Sequence, residues 1–353
     1  MTSKTLSMTP RDKQARPLHR GRVLALCGGV GGAKLAVGLE SVLDAGELAI
    51  AVNTGDDFEF LGLRISPDLD TVLYTLSGWS DTQRGWGRAN ETWNFMAALE
   101  QLGGETWFSL GDQDLALHVE RTRRLRNGES LSSIMDSLAQ RNGIKAKLIP
   151  MTDDEVRTVI RTAQGDLSFQ HYFVKERCEP VVTGISFAGA QTATPGAALM
   201  QALADPELAT IIICPSNPFL SIDPILSIPG IREALQQTPA RVVVVSPIVG
   251  GQAVKGPTTK IMRELGLNAD SAAIAHHYAG IADGMVIDVG DAADVDGIAL
   301  PIHVTRTLMT CLDDKRDLAL ATLAFADSLS QTPGVATPGM TAPDAEARQT
   351  KDA

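Results

Sequence analysis

The sequence predicts an α/β protein of the Rossmann-like kind, with a mostly parallel sheet and helices on both faces. Three observations carry this. The apolar run Val23-Leu24-Ala25-Leu26-Cys27 meets a glycine cluster and then a helical pattern from Ala33 to Leu43, and Leu48 to Val52 supplies the next strand. Strand, helix and strand within roughly thirty residues form a βαβ unit with a right-handed crossover. Late in the chain Ala209 to Cys214, Arg241 to Ser246 and Gly284 to Asp288 repeat the grammar, each closing in a loop rich in Gly, Pro, Asp or Asn. Such runs are buried parallel strands.

Between these halves, Glu91 to Leu102 and Ser130 to Arg141 have helical spacing, and Asp166 to Val174 alternates like a strand. Residues 22–330 are therefore expected to form one Rossmann-like domain, with about 105–200 as an inserted α+β cap or dimerisation segment. Residues 1–21 are polar and basic, and 331–353 are rich in Pro, Thr, Ala and charge; both are expected to be disordered.

A chain of 353 residues with 44% hydrophobic content can bury a large core. Its formal charge of −11 excludes broad association with nucleic acid, which needs a stripe of Lys and Arg. No apolar run long enough to span a membrane and no signal-peptide core are present, so a cytoplasmic protein without a membrane partner is expected. Cys27, Cys178, Cys214 and Cys311 are scattered without a CxxC pair and read as core thiols. A homodimer is expected on base rate alone.

In an open parallel sheet, ligands bind beyond the carboxyl ends of the strands, so the loops after Cys27, Val52, Cys214 and Ser246 should converge. Gly28-Gly29-Val30-Gly31-Gly32-Ala33-Lys34 follows the first strand. Glycines there let backbone amides approach a phosphate, and the following helix offers its positive N-terminus. The run is not a Walker A loop, because Gly28 is followed five residues later by Ala33 and Lys34 lacks a following Ser or Thr, and it is an imperfect dinucleotide fingerprint, because Lys34 occupies the third glycine position. A merely tight turn is the competing reading.

Asn53-Thr54-Gly55-Asp56-Asp57 closes the second strand, and Asp68 and Asp70 follow in Ser66-Pro67-Asp68-Leu69-Asp70-Thr71. Paired carboxylates beside a phosphate loop suit Mg²⁺, which takes one or two carboxylates together with substrate phosphates. Helix capping is the bland alternative for any one of them. Gly111-Asp112-Gln113-Asp114, with His118 one turn beyond Asp114, could form a polar wall. Arg84 and Arg88, flanking Gly85-Trp86-Gly87, could clamp a phosphate or stack on a ring. Ser216 and Asn217, within Pro215-Ser216-Asn217-Pro218, offer hydrogen bonds at the sheet's carboxyl edge, and Ser246-Pro247-Ile248-Val249-Gly250-Gly251 with Lys255-Gly256-Pro257 suggests a second ligand loop.

In this order the motifs resemble the 2-phospho-L-lactate transferase family of coenzyme F420 biosynthesis, over about residues 22–323. The resemblance implies a Rossmann-like fold and a reaction in which the deazaflavin Fo attacks a guanylylated phospho-acid, releasing GMP with Mg²⁺ assistance. It implies Asp70 and Asp56 as catalytic residues and metal ligands, with Asp57 and Asp68 in reserve. Gly29, Gly31, Gly32, Lys34, Asn53, Thr54, Asp57, Arg88, Asp112, Ser216 and Asn217 are the expected substrate-binding residues. The transferred acid, whether phospholactate, phosphoenolpyruvate or phosphoglycerate, stays open. An NAD(P)-dependent oxidoreductase and a noncatalytic nucleotide-binding regulator are the competing functions.

Overall fold

The structure is a computed structural model that describes residues 19–330 except Lys255 and Asp294. The expected disorder of 1–18 and 331–353, and the Lys255 part of the late loop, lie outside the described residues. Residues 19–21, assigned to the extension on sequence, are described, and His19 Nδ1 lies 2.8 Å from Asp327 Oδ1.

Seven strands make the central sheet: β1 (Arg22–Cys27), β2 (Leu48–Val52), β3 (Lys147–Pro150), β4 (Leu208–Ile213), β5 (Arg241–Val245), β6 (Gly284–Asp288) and β7 (Ile302–Thr305). All neighbours pair in parallel, in the order β7-β6-β5-β4-β1-β2-β3. The order reverses between β1 and β4, and the crevice beyond their carboxyl ends is where such sheets bind ligands.

Burial on both faces explains why these strands read as continuous apolar runs. In β1, Leu24 and Leu26 pack into one core with Ile211, Ile213 and Leu199, while Val23, Ala25 and Cys27 pack into the other. That second core is closed by α1 (Gly29–Val42), α2 (Pro67–Leu76) and the C-terminal helix Leu312–Ser330, through residues such as Leu35, Leu39, Leu69, Leu73 and Leu323.

A third, separate apolar cluster gathers Phe60, Ile65, Met96 and Leu110 with Phe58, Trp93, Trp107 and Phe108. It joins the hairpin of strands Phe58–Phe60 and Leu63–Ile65 to α3 (Asn94–Gln101). Next come α4 (Asp112–Arg126) and α5 (Leu131–Arg141).

The expected insertion at 105–200 is corrected here. Its residues 147–150 are β3, paired with β2 from Ala49↔Lys147 to Val52↔Pro150. Within that span the antiparallel sheet of Arg157–Thr162, Gly165–Ser168 and Val182–Ala188 forms separately from the central one. β3 escaped the sequence reading because it is short and ends in a proline, which an edge strand tolerates. Asp166 to Val174, expected as one strand, divides into Gly165–Ser168 and a π-helical turn, His171–Lys175.

Candidate active site

A cavity of about 680 Å³ opens at the β1/β4 reversal. Its floor is the first turn of α1, with Gly28, Gly29, Val30, Gly31 and Lys34 at the surface. One wall is α2 with Asp68, Asp70 and Tyr74, joined by Asp56, Asp114 and His118; the facing wall is built from Ser216, Asn217, Ser246, Thr258 and 307–309. Trp86, Phe108, Phe169 and Phe173 add an aromatic side. The loops expected to converge do so.

What was read as a glycine loop is a helix start, because Gly28 is the N-cap and α1 begins at Gly29. Glycines are needed there by close approach. A Cβ on Gly28 would lie 2.3 Å from Asp68 Oδ2, and one on Gly31 would lie 2.2 Å from the Pro215 carbonyl oxygen. The Gly29 amide, expected to grip a phosphate, donates to Asp68 Oδ1 at 2.6 Å. Lys34 lines the cavity and its Nζ donates to the Met309 carbonyl at 2.8 Å.

The four aspartates divide into two kinds. Asp70 accepts two bonds from the wholly buried Arg121 guanidinium. Asp57 accepts from Ser66 Oγ at 2.7 Å and has Arg64 Nε at 3.4 Å. Asp56 and Asp68 instead share one neutral donor, Asn53 Nδ2, at 3.4 and 3.0 Å. Burial, then the charge of Asp68, then that of Asp57, hold the Asp56 carboxyl well above its usual range. Burial raises Asp68 to about 6 against the opposing pull of Asn53 and the Gly29 amide. Asp57 is also raised by burial to about 6, with Arg64 opposing.

Behind Asp70, Tyr74 donates its hydroxyl to Asp114 Oδ1. His118 lies with Nε2 at 3.2 Å from Asp114 Oδ1 and Nδ1 at 3.7 Å from Asp70 Oδ2. Burial would raise the Asp114 carboxyl, but His118, Tyr74 and Arg121 together hold it below the ordinary range.

Several expected substrate residues make contacts within the framework. Asn53 orients carboxylates from beneath and its Oδ1 accepts from the Gly55 amide at 2.7 Å. Thr54 and Asp57 are buried behind the cavity wall. A Cβ on Gly32 would meet Ser216 Oγ at 2.6 Å and Cys27 Cβ at 2.7 Å, so Gly32 packs the helix onto the sheet. Arg88 lies over Trp79 at 4.2 Å and bonds Gln113 Oε1 at 3.0 Å, away from the cavity lining. Asp112, pulled down to about 2 by Thr92 and the amide of Phe95, ties the start of α3 to α4. Ser216 reaches the cavity, but its hydroxyl links to the Gly28 amide and carbonyl at 3.2 and 2.9 Å. Asn217 Oδ1 accepts from the amides of Phe219 and Leu220, leaving Nδ2 without a partner at the cavity edge.

Arg121, Phe108, Phe169 and Phe173 were not read from sequence, whereas Trp86 lay in a motif that was. Arg121 sits seven residues after Asp114 and three after His118, so the spacing that put Asp114 and His118 on one face could have included it.

An acid-lined crevice against a helix N-terminus, at the reversal point of a parallel sheet, is the ligand position of the Rossmann-like class of folds. A family model for 2-phospho-L-lactate transferase CofD matches residues 23–297. The chain is 39% identical over 318 residues to a phosphoenolpyruvate transferase of Kitasatospora aureofaciens, covering 87% of this chain and 98% of that one. It is 40% identical over 300 residues to a 2-phospho-L-lactate transferase of Methanosarcina mazei, covering 84% and 98%. A crystal structure of a UPF0052 family protein from Bacillus halodurans shares the fold, with TM-score 0.57, 16% identity and coverage of 86% and 99%. The chain belongs to the 2-phospho-L-lactate transferase CofD family and is a transferase of that family. Among the described residues no helix is long and apolar enough to cross a membrane.

Proposed function

We propose that this chain transfers a phospho-acid moiety from a guanosine-diphosphate-type donor to the terminal hydroxyl of the deazaflavin Fo, releasing GMP, in coenzyme F420 biosynthesis. The observation that carries the reading is the pair Asp56 and Asp68, two buried carboxylates on one cavity, neither of them in a close ion pair among the described residues, with Arg157 acting on Asp56 only from longer range. Two unpaired carboxylates in low dielectric repel, and a divalent cation with donor phosphates completes the charge. Among the described residues no group of three or more His, Cys, Asp and Glu side chains could hold an ion unaided. The pair therefore fits Mg²⁺ shared with a phosphorylated ligand rather than a resident structural metal.

On this reading Asp56 and Asp68 hold the cation. When bound, the cation offsets the negative charge on the transferring phosphoryl group. Asp70, sequence-expected as a ligand, takes a different role because Arg121 already neutralises it: it accepts a hydrogen bond from the attacking hydroxyl and orients it. The first turn of α1 faces the donor phosphates. The aromatic side accepts the flat ring of the acceptor.

The test is incubation of the purified chain with Fo, each activated phospho-acid in turn and Mg²⁺, with products identified by mass. Formation of a phosphodiester with release of GMP supports the reading and names the acid. Reduction of a nicotinamide cofactor, or recovery of every ligand unchanged, sinks it.

A further inference from the structure

Resting on that reading, we propose that His118 is a positioning residue for the transfer, holding Asp70 in the orientation that receives the attacking hydroxyl. Asp70 and Tyr74 come from successive turns of α2, while Asp114, His118 and Arg121 come from one face of α4. The side chains interleave in the sequence Tyr74, Asp114, His118, Asp70, Arg121 across the seam between the helices.

Two features set His118 apart from an ordinary core histidine. It is 1% exposed and neither ring nitrogen makes a well-formed hydrogen bond, an uncommon state for a buried polar group. Yet it lies on the cavity wall beside Asp70, with its nitrogens directed at two carboxylates. Arg121 fixes Asp70 from one side only. The 3.7 Å separation between His118 Nδ1 and Asp70 Oδ2 is the remaining loose joint in the chain of contacts. Catalytic contacts are often long without substrate and tighten when it binds. A hydroxyl engaging Asp70 would draw the carboxylate into register between the guanidinium and the imidazole, with Asp114 bracing the ring from behind.

The test uses three variants of the full chain. His118→Leu keeps apolar volume and removes both nitrogens. His118→Asn keeps a donor near the position of Nδ1, facing Asp70, whereas His118→Gln keeps one near Nε2, facing Asp114. Steady-state transfer and thermal unfolding are measured for each. His118→Leu is expected to lower kcat by about 10²-fold, the scale of a misplaced reacting group, with little change in KM for the nucleotide donor. His118→Asn should recover about tenfold of that loss and His118→Gln should not, at equal unfolding temperatures. Gln outperforming Asn, or Leu retaining wild-type kcat, overturns the inference. Activity losses that merely follow the unfolding temperature also overturn it. Were His118→Leu not to fold, the ranking of Asn and Gln would still decide. A wild-type chain that forms no product sinks the functional reading and this inference together, while an active wild type with the wrong ranking sinks only the inference.

Discussion

Asp68 and Asp70 stand two residues apart on the first turn of α2, and the protein surrounds them in opposite ways. Asp70 meets a buried guanidinium, whereas Asp68 meets one amide side chain, one backbone amide and the neighbouring Asp56. Bidentate pairing with Arg makes the first a completed ion pair. The second pair is left with uncompensated charge that burial makes costly. Under the proposed function the contrast puts the ligand on the open side, because a folded chain can keep such a deficit at a site where something else supplies the missing charge.

Breaking the completed side should have the largest effect. Arg121→Met leaves Asp70 buried without its counter-charge and is expected to cost about 3–5 kcal/mol of stability, measured by urea unfolding. The double variant Arg121→Met with Asp70→Leu should regain most of that loss, since the penalty lies in the stranded charge. A single variant as stable as wild type would mean that Asp70 is neutralised in some other way.

On the open side the expectation reverses. Asp68→Asn keeps an acceptor for the Gly29 amide and removes the repulsion with Asp56, so the ligand-free protein should be no less stable than wild type. Transfer should nevertheless fall on the order of 10²-fold or more, because a bound cation contributes several kcal/mol to the transition state. Mg²⁺ should no longer raise the unfolding temperature. If Mg²⁺ still shifts the variant as it shifts wild type, the cation lies elsewhere.

The same comparison shows how much was legible in the sequence. The strands flanking the site were, because β1, β2, β4, β5 and β6 are buried on both faces and leave an unbroken apolar signature. The edge strands β3 and β7 were not. β7 is only partly buried, so its residues carry no such signature. Asp56, Asp68 and Asp70 were visible as a cluster, but their division of labour was not. It depends on Arg121, fifty-one residues from Asp70, and on α4 lying beside the hairpin that precedes α2. Arg88 and Asp112 show the complementary difficulty, since a charged residue near a motif looks alike in sequence whether it faces a ligand or braces a helix.

Acid should sharpen the contrast. Asp68 titrates near 6 in the fold, raised from 3.8, so the folded state holds its proton more tightly than the unfolded chain. Its contribution to stability is therefore fully present below the unfolded value and is lost as pH rises through about 6, on the order of 2–3 kcal/mol in all. Cation binding requires the ionised form. The Mg²⁺-induced rise in unfolding temperature should be slight at pH 5 and should grow as pH rises through about 6, with the Asp68→Asn variant flat across that range. A wild-type shift that is equal at both ends would remove Asp68 from the site.

The smallest effect is expected at Arg88, where sequence and structure part company. Its guanidinium lies 4.2 Å from the centre of the Trp79 ring and 5.6 Å from that of Tyr74, and it bonds Gln113 rather than facing the cavity. An aromatic–cation contact of this kind contributes about 0.5–2 kcal/mol. Arg88→Ala should therefore lower stability by about that amount, while kcat and the KM for both substrates stay within about twofold of wild type. Tyr74 is one route by which the loss could reach the site, since its ring supports Arg88 and its hydroxyl holds Asp114, and Gln113, the chain neighbour of Asp114, is another. A rise in donor KM of tenfold or more, at unchanged unfolding temperature, would show instead that Arg88 swings inward to meet a phosphate.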